Sequence, residues 1–410
     1  MSLRASRGFI VALVTVAAFI DLVAYSVAVP VLPDLSRRLG ASPTMIGLLF
    51  SSFGLTLLLV SVPMGAVSDR VGRKLPLVMG LVALAASTVL FAVANQMSLL
   101  FAARLIQGAA DAVTWVVGFA LIADLYGPGE RGRVMGLVMA GTSFGLMIGP
   151  TIGGWLYEAG GIHLPFLIVA AMTLAIAFVF LWVRLPAVQV EREAIPIRLI
   201  VREPAVVACT FVVIVAASTV TMLEPVLSLW LASALGLGPA RIGLVFGIAA
   251  VATAMLHPLY GRLSDRWGSR RLMMIGLGLT ALWLPLLSHA WSFESAVGLY
   301  VMKAAAIALV VTPSLAFAAE AVSRAGAGSF GVAYGIYNFA WGAGLLAGPA
   351  IGGFLFERLG FRRLTMAWMP VLLVLALLLG RGAGGAGGAG GPGKAGGAGR
   401  AGGAGGAEGG

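Results

Sequence analysis

Charge is what this chain has least of. Asp, Glu, Lys and Arg supply only 10% of its 410 residues, where soluble domains carry about a quarter. A water-covered globular domain is therefore excluded. Cysteine is almost absent too: Cys209 stands alone, so no intramolecular disulfide can form. Only three histidines occur, His163, His257 and His289. There is no Cys/His metal cluster, no nucleophile motif and no Walker-type Gly-x-x-x-x-Gly-Lys-Ser/Thr loop. Catalysis has no support, no metal or other cofactor is expected, and any work the protein does must be driven by a gradient rather than by ATP.

What is there is apolar. Hydrophobic residues make up 60% of the chain, in runs that reach the roughly 20 residues needed to cross a bilayer. Twelve spans are predicted, at about 8–33, 44–67, 75–95, 97–123, 133–157, 162–183, 205–233, 240–261, 271–289, 292–321, 329–356 and 363–380. The net charge of +11 would suggest nucleic acid in a soluble protein. Here the basic residues sort by side instead. Six of the 27 lie on one side (Arg37, Arg38, Arg241, Arg358, Arg362, Arg363), Arg104 and Lys303 lie within spans, and the other nineteen share the opposite side. The positive-inside rule then puts both termini in the cytoplasm. The first span shows no small-residue cleavage site and reads as a retained helix.

The chain repeats itself. Gly65-Ala66-Val67-Ser68-Asp69-Arg70-Val71-Gly72-Arg73-Lys74 returns as Gly261-Arg262-Leu263-Ser264-Asp265-Arg266-Trp267-Gly268-Ser269-Arg270, each a short loop between two spans. Ile46-Gly47 returns as Ile242-Gly243, and Gly149-Pro150-Thr151-Ile152-Gly153-Gly154 as Gly348-Pro349-Ala350-Ile351-Gly352-Gly353. Two parallel homologous halves are a transporter plan, with the substrate site between them. The expected fold is an all-α membrane protein of twelve transmembrane helices in two pseudo-symmetric six-helix bundles. Residues 1–183 form the N-terminal bundle, 184–204 a cytoplasmic linker, 205–380 the C-terminal bundle and 381–410 a disordered Gly/Ala-rich tail. Deleting residues 385–410 should leave transport intact.

The repeated loops read as gates, with setting the topology as the alternative role of their charges. Gly65 and Gly261 allow close helix approach, Asp69 and Asp265 are placed to cap a facing helix N-terminus, and Arg70, Arg73 and Arg266 hold the loops at the surface. Span 5 carries Gly141, Gly145, Gly149, Pro150, Gly153 and Gly154, a smooth stripe broken by a proline that loosens the helix. Span 11 repeats it, and paired joints suit halves that rock.

These residues resemble the major facilitator superfamily, and within it the twelve-helix drug:proton antiporters. The loop Gly65–Lys74 resembles that family's signature between helices 2 and 3, Arg104-Leu105-Ile106-Gln107-Gly108 its helix 4 signature, and Gly145–Gly154 the helix 5 signature associated with antiport. Glu130–Gly136, Tyr157-Glu158, Met222-Leu223-Glu224-Pro225 and Asp21 are similar to the vesicular amine transporter branch. The chain departs from that branch at three places: Phe53 stands for its helix 2 lysine, Val311-Thr312 near its helix 10 acid, and Asn338 for its helix 11 acid. The resemblance implies alternating access, with spans 1, 4, 7 and 10 lining the central cavity.

Ionisable groups within spans cost at least a few kcal/mol unless they face a cavity or a partner. Asp21 lies about 13 residues into span 1, ~20 Å along it, and Asp111 at a comparable depth in span 4. Glu224 sits in span 7 and Lys303 in span 10, so these outliers fall on the four lining spans. A carboxyl withdrawn from water can load and release a proton. Asp21, Glu224 and Asp111 are thus candidate proton carriers, with a salt bridge to Lys303 as the alternative role for Glu224 and a packing hydrogen bond for Asp111. Arg104 and Lys303 match between the halves, with Gln107 one turn from Arg104. Tyr25, Trp230, Tyr334, Tyr337, Asn338 and Trp341 are candidate cation–π or polar contacts for a substrate, or else ordinary packing. Asp124 and Glu320 read as interface anchors, and His257 as structural.

The expected function is proton-coupled export of drugs or other small organic, amphipathic or cationic compounds, by a monomer in a bacterial inner membrane, with substrate, protons and lipid as its partners and no nucleic acid. A carrier of one metabolite, an amine or a sugar, is the alternative. A non-transporting sensor would need an ordered soluble domain.

Overall fold

In lipid the backbone must satisfy its own hydrogen bonds, so long apolar runs become helices. The computed structural model describes residues 3–4, 6–185, 203–324 and 330–381, and these are almost entirely helical. The predicted linker lies mostly, and the predicted tail almost entirely, outside the described residues.

Span 1 runs from Arg7–Ser26 through a short turn at Val29–Val31 into Leu32–Leu39. Spans 2 to 6 follow as Pro43–Val71, Lys74–Val93, Met97–Leu125, Pro128–Gly160 and His163–Trp182. Spans 7 to 10 are Pro204–Leu235, Pro239–Trp267, Ser269–Leu286 and Phe293–Arg324. Spans 11 and 12 share one continuous assignment, Phe330–Arg381, broken at Gly360 by a left-handed backbone (φ 75°). Among the described residues eleven apolar helices are thus long enough to cross a membrane, and the kink at Gly360 makes the last of them two arms, giving twelve.

Local chemistry explains the boundaries. Ser6 and Ser42 accept hydrogen bonds from Phe9 N and Met45 N at the starts of spans 1 and 2. Proline opens spans 2, 5, 7 and 8, where its missing N–H costs nothing. The described glycines with positive φ pair between the halves: Gly40 with Gly236, Gly72 with Gly268, Gly161 with Gly360. Turns that demand a left-handed residue therefore recur at equivalent places, a sign of symmetry independent of the sequence motifs. The sequence did not foretell a two-residue parallel bridge, Leu3↔Val183 and Arg4↔Arg184, which ties the start of the chain to the end of span 6.

The halves touch at one end and part at the other. At the end opposite the two charged loops, span 2 lies on span 11 and span 5 on span 8. A Cβ added at Gly47 would overlap the Pro349 carbonyl, one at Gly54 would meet Leu345 C at 2.8 Å, and one at Gly243 would overlap the Pro150 carbonyl. Thr151 donates to Gly243 O at 3.1 Å, and the contacts last to mid-helix, where a Cβ added at Gly342 would meet Leu58 Cδ2 at 2.7 Å. Further toward the loops the same stripes lose their partners. Val62, one turn past Leu58, is 79% exposed, and Met255, two turns past Gly247, is 76% exposed. The apolar cluster at the loop end of the N-terminal bundle, with Ile10, Leu81, Val117 and Phe180, contains no residue of the other half. The larger cluster draws on both halves. The molecule is closed at the far end and splayed at the loop end.

Candidate functional site

Spans 1 and 7 meet where the halves close. The Tyr25 hydroxyl donates to Glu224 Oε2 at 2.5 Å, and the Ser228 hydroxyl donates to Val29 O at 2.7 Å. Each pair joins span 1 to span 7, so these two spans cross at the seam between the halves. Glu224 is 8% exposed, and Pro225 directly after it removes a helical N–H beside the carboxyl. One side of this bond belongs to each bundle.

Two cations flank Glu224 without pairing to it. Among the described residues the ion pairs are Arg37–Asp34, Arg73–Asp69 and Arg73–Asp124. The salt bridge considered for Glu224 and Lys303 is therefore not made. Lys303 reaches Thr219 O at 3.5 Å and lies 5.7 Å from the Tyr300 ring centre. Arg104 is fully buried in an aromatic cage, with its guanidinium carbon 4.2, 5.2 and 5.3 Å from the ring centres of Phe50, Phe91 and Tyr25. It donates to Gln107 Oε1 at 2.9 Å and to Tyr25 O at 3.3 Å, while its Nε and Nη2 find no acceptor. Such stacking holds the charge largely through the ring faces. The cage places a fixed positive field behind Tyr25 and Glu224, and all its members come from the N-terminal half.

Asp21 and Asp111 form a second centre, about one turn toward the loop end. Asp21 is fully buried and Asp111 is 4% exposed. Asp111 and Thr114 lie beside Asp21, yet neither Asp21 carboxyl oxygen makes a hydrogen bond of acceptable geometry. Trp115 is the other polar neighbour of Asp111. Spans 1 and 4 thus hold two carboxyls face to face with no basic group against them. Such a pair suits a proton or a small cation. Among the described residues no group of three or more His, Cys, Asp or Glu comes together to hold a metal.

Several sequence candidates are committed to packing. Trp230 stacks on Phe361 at 4.5 Å rather than facing Glu224. Tyr337 and Trp341 stack at 6.2 Å, with Tyr337 beside Ser314 and Cys209 of the C-terminal bundle. Asn338 is half-buried on the same span, and the Tyr334 side chain lies outside the described residues. His257 pairs with the Thr312 hydroxyl at 2.7 Å, joining spans 8 and 10.

The loops depart from expectation. A Cβ at Gly65 would find only ordinary contact, Val116 at 3.4 Å in its own half, and one at Gly261 would find open space. Close approach at these glycines is not made, because the halves are parted there. Asp69 accepts from Arg73 at 2.7 Å, and Arg73 also donates to Asp124 at 2.8 Å and Ser68 at 2.7 Å. Burial opposes the Arg73 charge, but Asp124 and Asp69 outweigh it and raise its pKa. In the second half Ser269 stands where Arg73 stands in the first, and it bonds the Ser264 hydroxyl at 2.8 Å. Asp265 and Arg266 are exposed.

The glycine stripes pack two ways. In span 5, Gly145 lies against Phe19 O, Gly149 against Ser26 and Gly153 against Val27 O, all in span 1, while Gly154 lies against Pro239 and Ala240 of the other half. In span 11, Gly344, Gly348 and Gly352 meet span 7, and Gly353 meets Pro43 and Gly47. Sequence reasoning missed Phe50, Phe91, Tyr300 and Thr219. Tyr300, one helical turn before Lys303, carried a spacing signal. The cage phenylalanines carried none.

Two bundles related by a pseudo-two-fold axis, with buried charge at their junction, define a secondary transporter. A family profile described as the Major Facilitator Superfamily matches residues 14–223 and 209–383, and the chain belongs to that superfamily. It is 32% identical over 396 residues to the probable vesicular acetylcholine transporter-B of Danio rerio, covering 92% of this chain and 80% of that one. It is 29% identical over 337 residues to the chromaffin granule amine transporter of Rattus norvegicus, 80% of this chain and 63% of that one. Among solved structures, a bacterial homologue of the human lysosomal transporter Spinster, inward-facing and unoccupied, superposes with a TM-score of 0.77 at 16% identity, over 92% and 97% of the two chains. The chain is a multi-pass membrane transporter near the vesicular amine transporter branch, and not an enzyme.

Proposed function

We propose that this transporter is a proton-coupled antiporter exporting small organic cations, in a bacterial inner membrane, with both termini and the charged loops in the cytoplasm. The observation that carries this reading is the Tyr25–Glu224 hydrogen bond, 2.5 Å long and shared between the two bundles. With the loop end cytoplasmic, the splayed conformation faces inward. A charged Glu224 is then held by the Tyr25 hydroxyl and the field of Arg104 and Lys303. When the far end opens, spans 1 and 7 separate and Glu224 loses that donor. Outside water then reaches the carboxyl, which takes a proton there and gives it up inside when the bond to Tyr25 reforms. Asp21 and Asp111 offer the second negative centre, where a cationic substrate and protons compete for one site. Such competition couples export to proton entry without a chemical step. The names of the relatives, acetylcholine and amine transporters, favour an organic cation as cargo.

The test is proton flux in liposomes carrying purified protein, on adding acetylcholine, monoamines and lipophilic drug cations, with Asp21→Asn and Glu224→Gln as controls. Substrate-driven proton movement lost in either variant is expected. Transport of a compound by the wild type with no proton movement would overturn the coupling. Response across chemically unrelated cations would mark a drug exporter, and response to one amine a dedicated carrier.

A further inference from the structure

The internal repeat extends past the glycine motif to two acids that no role above has used. Glu158 follows Gly149 by the same interval at which Glu357 follows Gly348. Both acids are exposed, at the far ends of spans 5 and 11. Each reaches across to the opposite bundle. Glu158 Oε1 accepts from Ala240 N at 3.0 Å, and Glu357 Oε2 accepts from Thr44 N at 2.9 Å. Ala240 and Thr44 are equivalent in turn: each follows the proline that opens its helix, Pro239 of span 8 and Pro43 of span 2. These N–H groups are among those a helix start leaves without partners, and they sit at its positive end. Span 8 begins at Gly238, which has no side chain to cap it, so the cap comes from the other half. Directly beneath, Gly154 presses on Pro239 and Gly353 on Pro43.

We propose that Glu158 and Glu357 are a matched pair of latches that hold the far end shut, each acting as a helix cap supplied in trans. Neither bond can survive parting of spans 5 and 8 or of spans 2 and 11, so both form only in the conformation seen here. The pair thus sets how often the far side opens, whatever the cargo and whether or not protons are coupled to it.

State-selective thiol labelling tests this. In a Cys209→Ser background, Ser51→Cys reports opening at the far end, since Ser51 is buried on the span 2 stripe that faces span 11, and Met255→Cys reports exposure at the loop end. Losing a side-chain helix cap shifts such an equilibrium by about two- to thirtyfold. Glu158→Ala and Glu357→Ala should each raise the Ser51→Cys labelling rate several-fold while lowering that of Met255→Cys. The double variant should show roughly the product of the two effects. A merely loosened protein would instead raise both labelling rates, which would overturn the proposal. So would unchanged labelling in the double variant, or an effect confined to one of the two acids. Labelling needs neither substrate nor a proton gradient, so its outcome is separate from that of the antiport assay.

Discussion

Tyr25→Phe deletes one hydroxyl and leaves the rest of its surroundings in place. The ring keeps its contacts with Phe53 at 4.8 Å and Phe50 at 6.0 Å, and its place beside Arg104. What goes is the 2.5 Å donor to Glu224. A hydrogen bond to an ionised acceptor contributes about 1.5–3 kcal/mol, and one between neutral groups about 0.5–1.5 kcal/mol. Donor and acceptor lie in different bundles, so this energy is present only while the far end is closed. An ionised Glu224 therefore makes the variant shift the closed–open equilibrium by about 10- to 150-fold, and a neutral one by about two- to tenfold. Labelling of Ser51→Cys in the Cys209→Ser background reads that shift. In a Glu224→Gln background the acceptor is neutral, and the same deletion should have only the smaller effect. A shift of less than about twofold in both backgrounds would refute the idea that this bond ties protonation to conformation.

Three further outcomes are expected. Gly243→Val drives a side chain into the Pro150 carbonyl, costing about 2 kcal/mol of far-end closure and about thirtyfold in transport, whereas Gly261→Ala, which meets open space, should transport normally; equal activity of the two would overturn the interface assignment. Arg73→Ala leaves Asp124 and Asp69 without their buried partner and should destabilise the N-terminal bundle by about 3 kcal/mol, against at most about 0.5 kcal/mol for the exposed Arg266→Ala; thermal melts in detergent showing the same loss for both would contradict the asymmetry of the loops. Asp111→Asn should keep substrate exchange but lose most proton-driven accumulation in liposomes, and undiminished accumulation would take Asp111 off the proton path.

Glu158 shows how far the sequence could be read. Its place beside Tyr157 was legible as a likeness and its repeat as Glu357 was there to find, but nothing local says that either carboxyl reaches a helix start some 80 or 310 residues away in the chain. The charged loops make the same point in reverse. Ser68-Asp69-Arg70 and Ser264-Asp265-Arg266 are one motif, yet the first is tied to Asp124 through Arg73, where the second has Ser269, which bonds Ser264.

The sequence alone determined the membrane, the twelve spans, the two-fold repeat and the depth at which Asp21, Asp111, Glu224, Arg104 and Lys303 sit. These follow from hydrophobic length, period and spacing, quantities that act along the chain. Only the tertiary structure decided who faces whom: Tyr25 with Glu224 rather than Lys303 with Glu224, Asp21 with Asp111, and Arg104 with a phenylalanine cage. The last two depend on how helices pack within the N-terminal bundle, and the Tyr25–Glu224 bond on how two rigid bundles are rotated about their axis. That rotation has more than one stable value in a transporter, so no local pattern of residues can encode it.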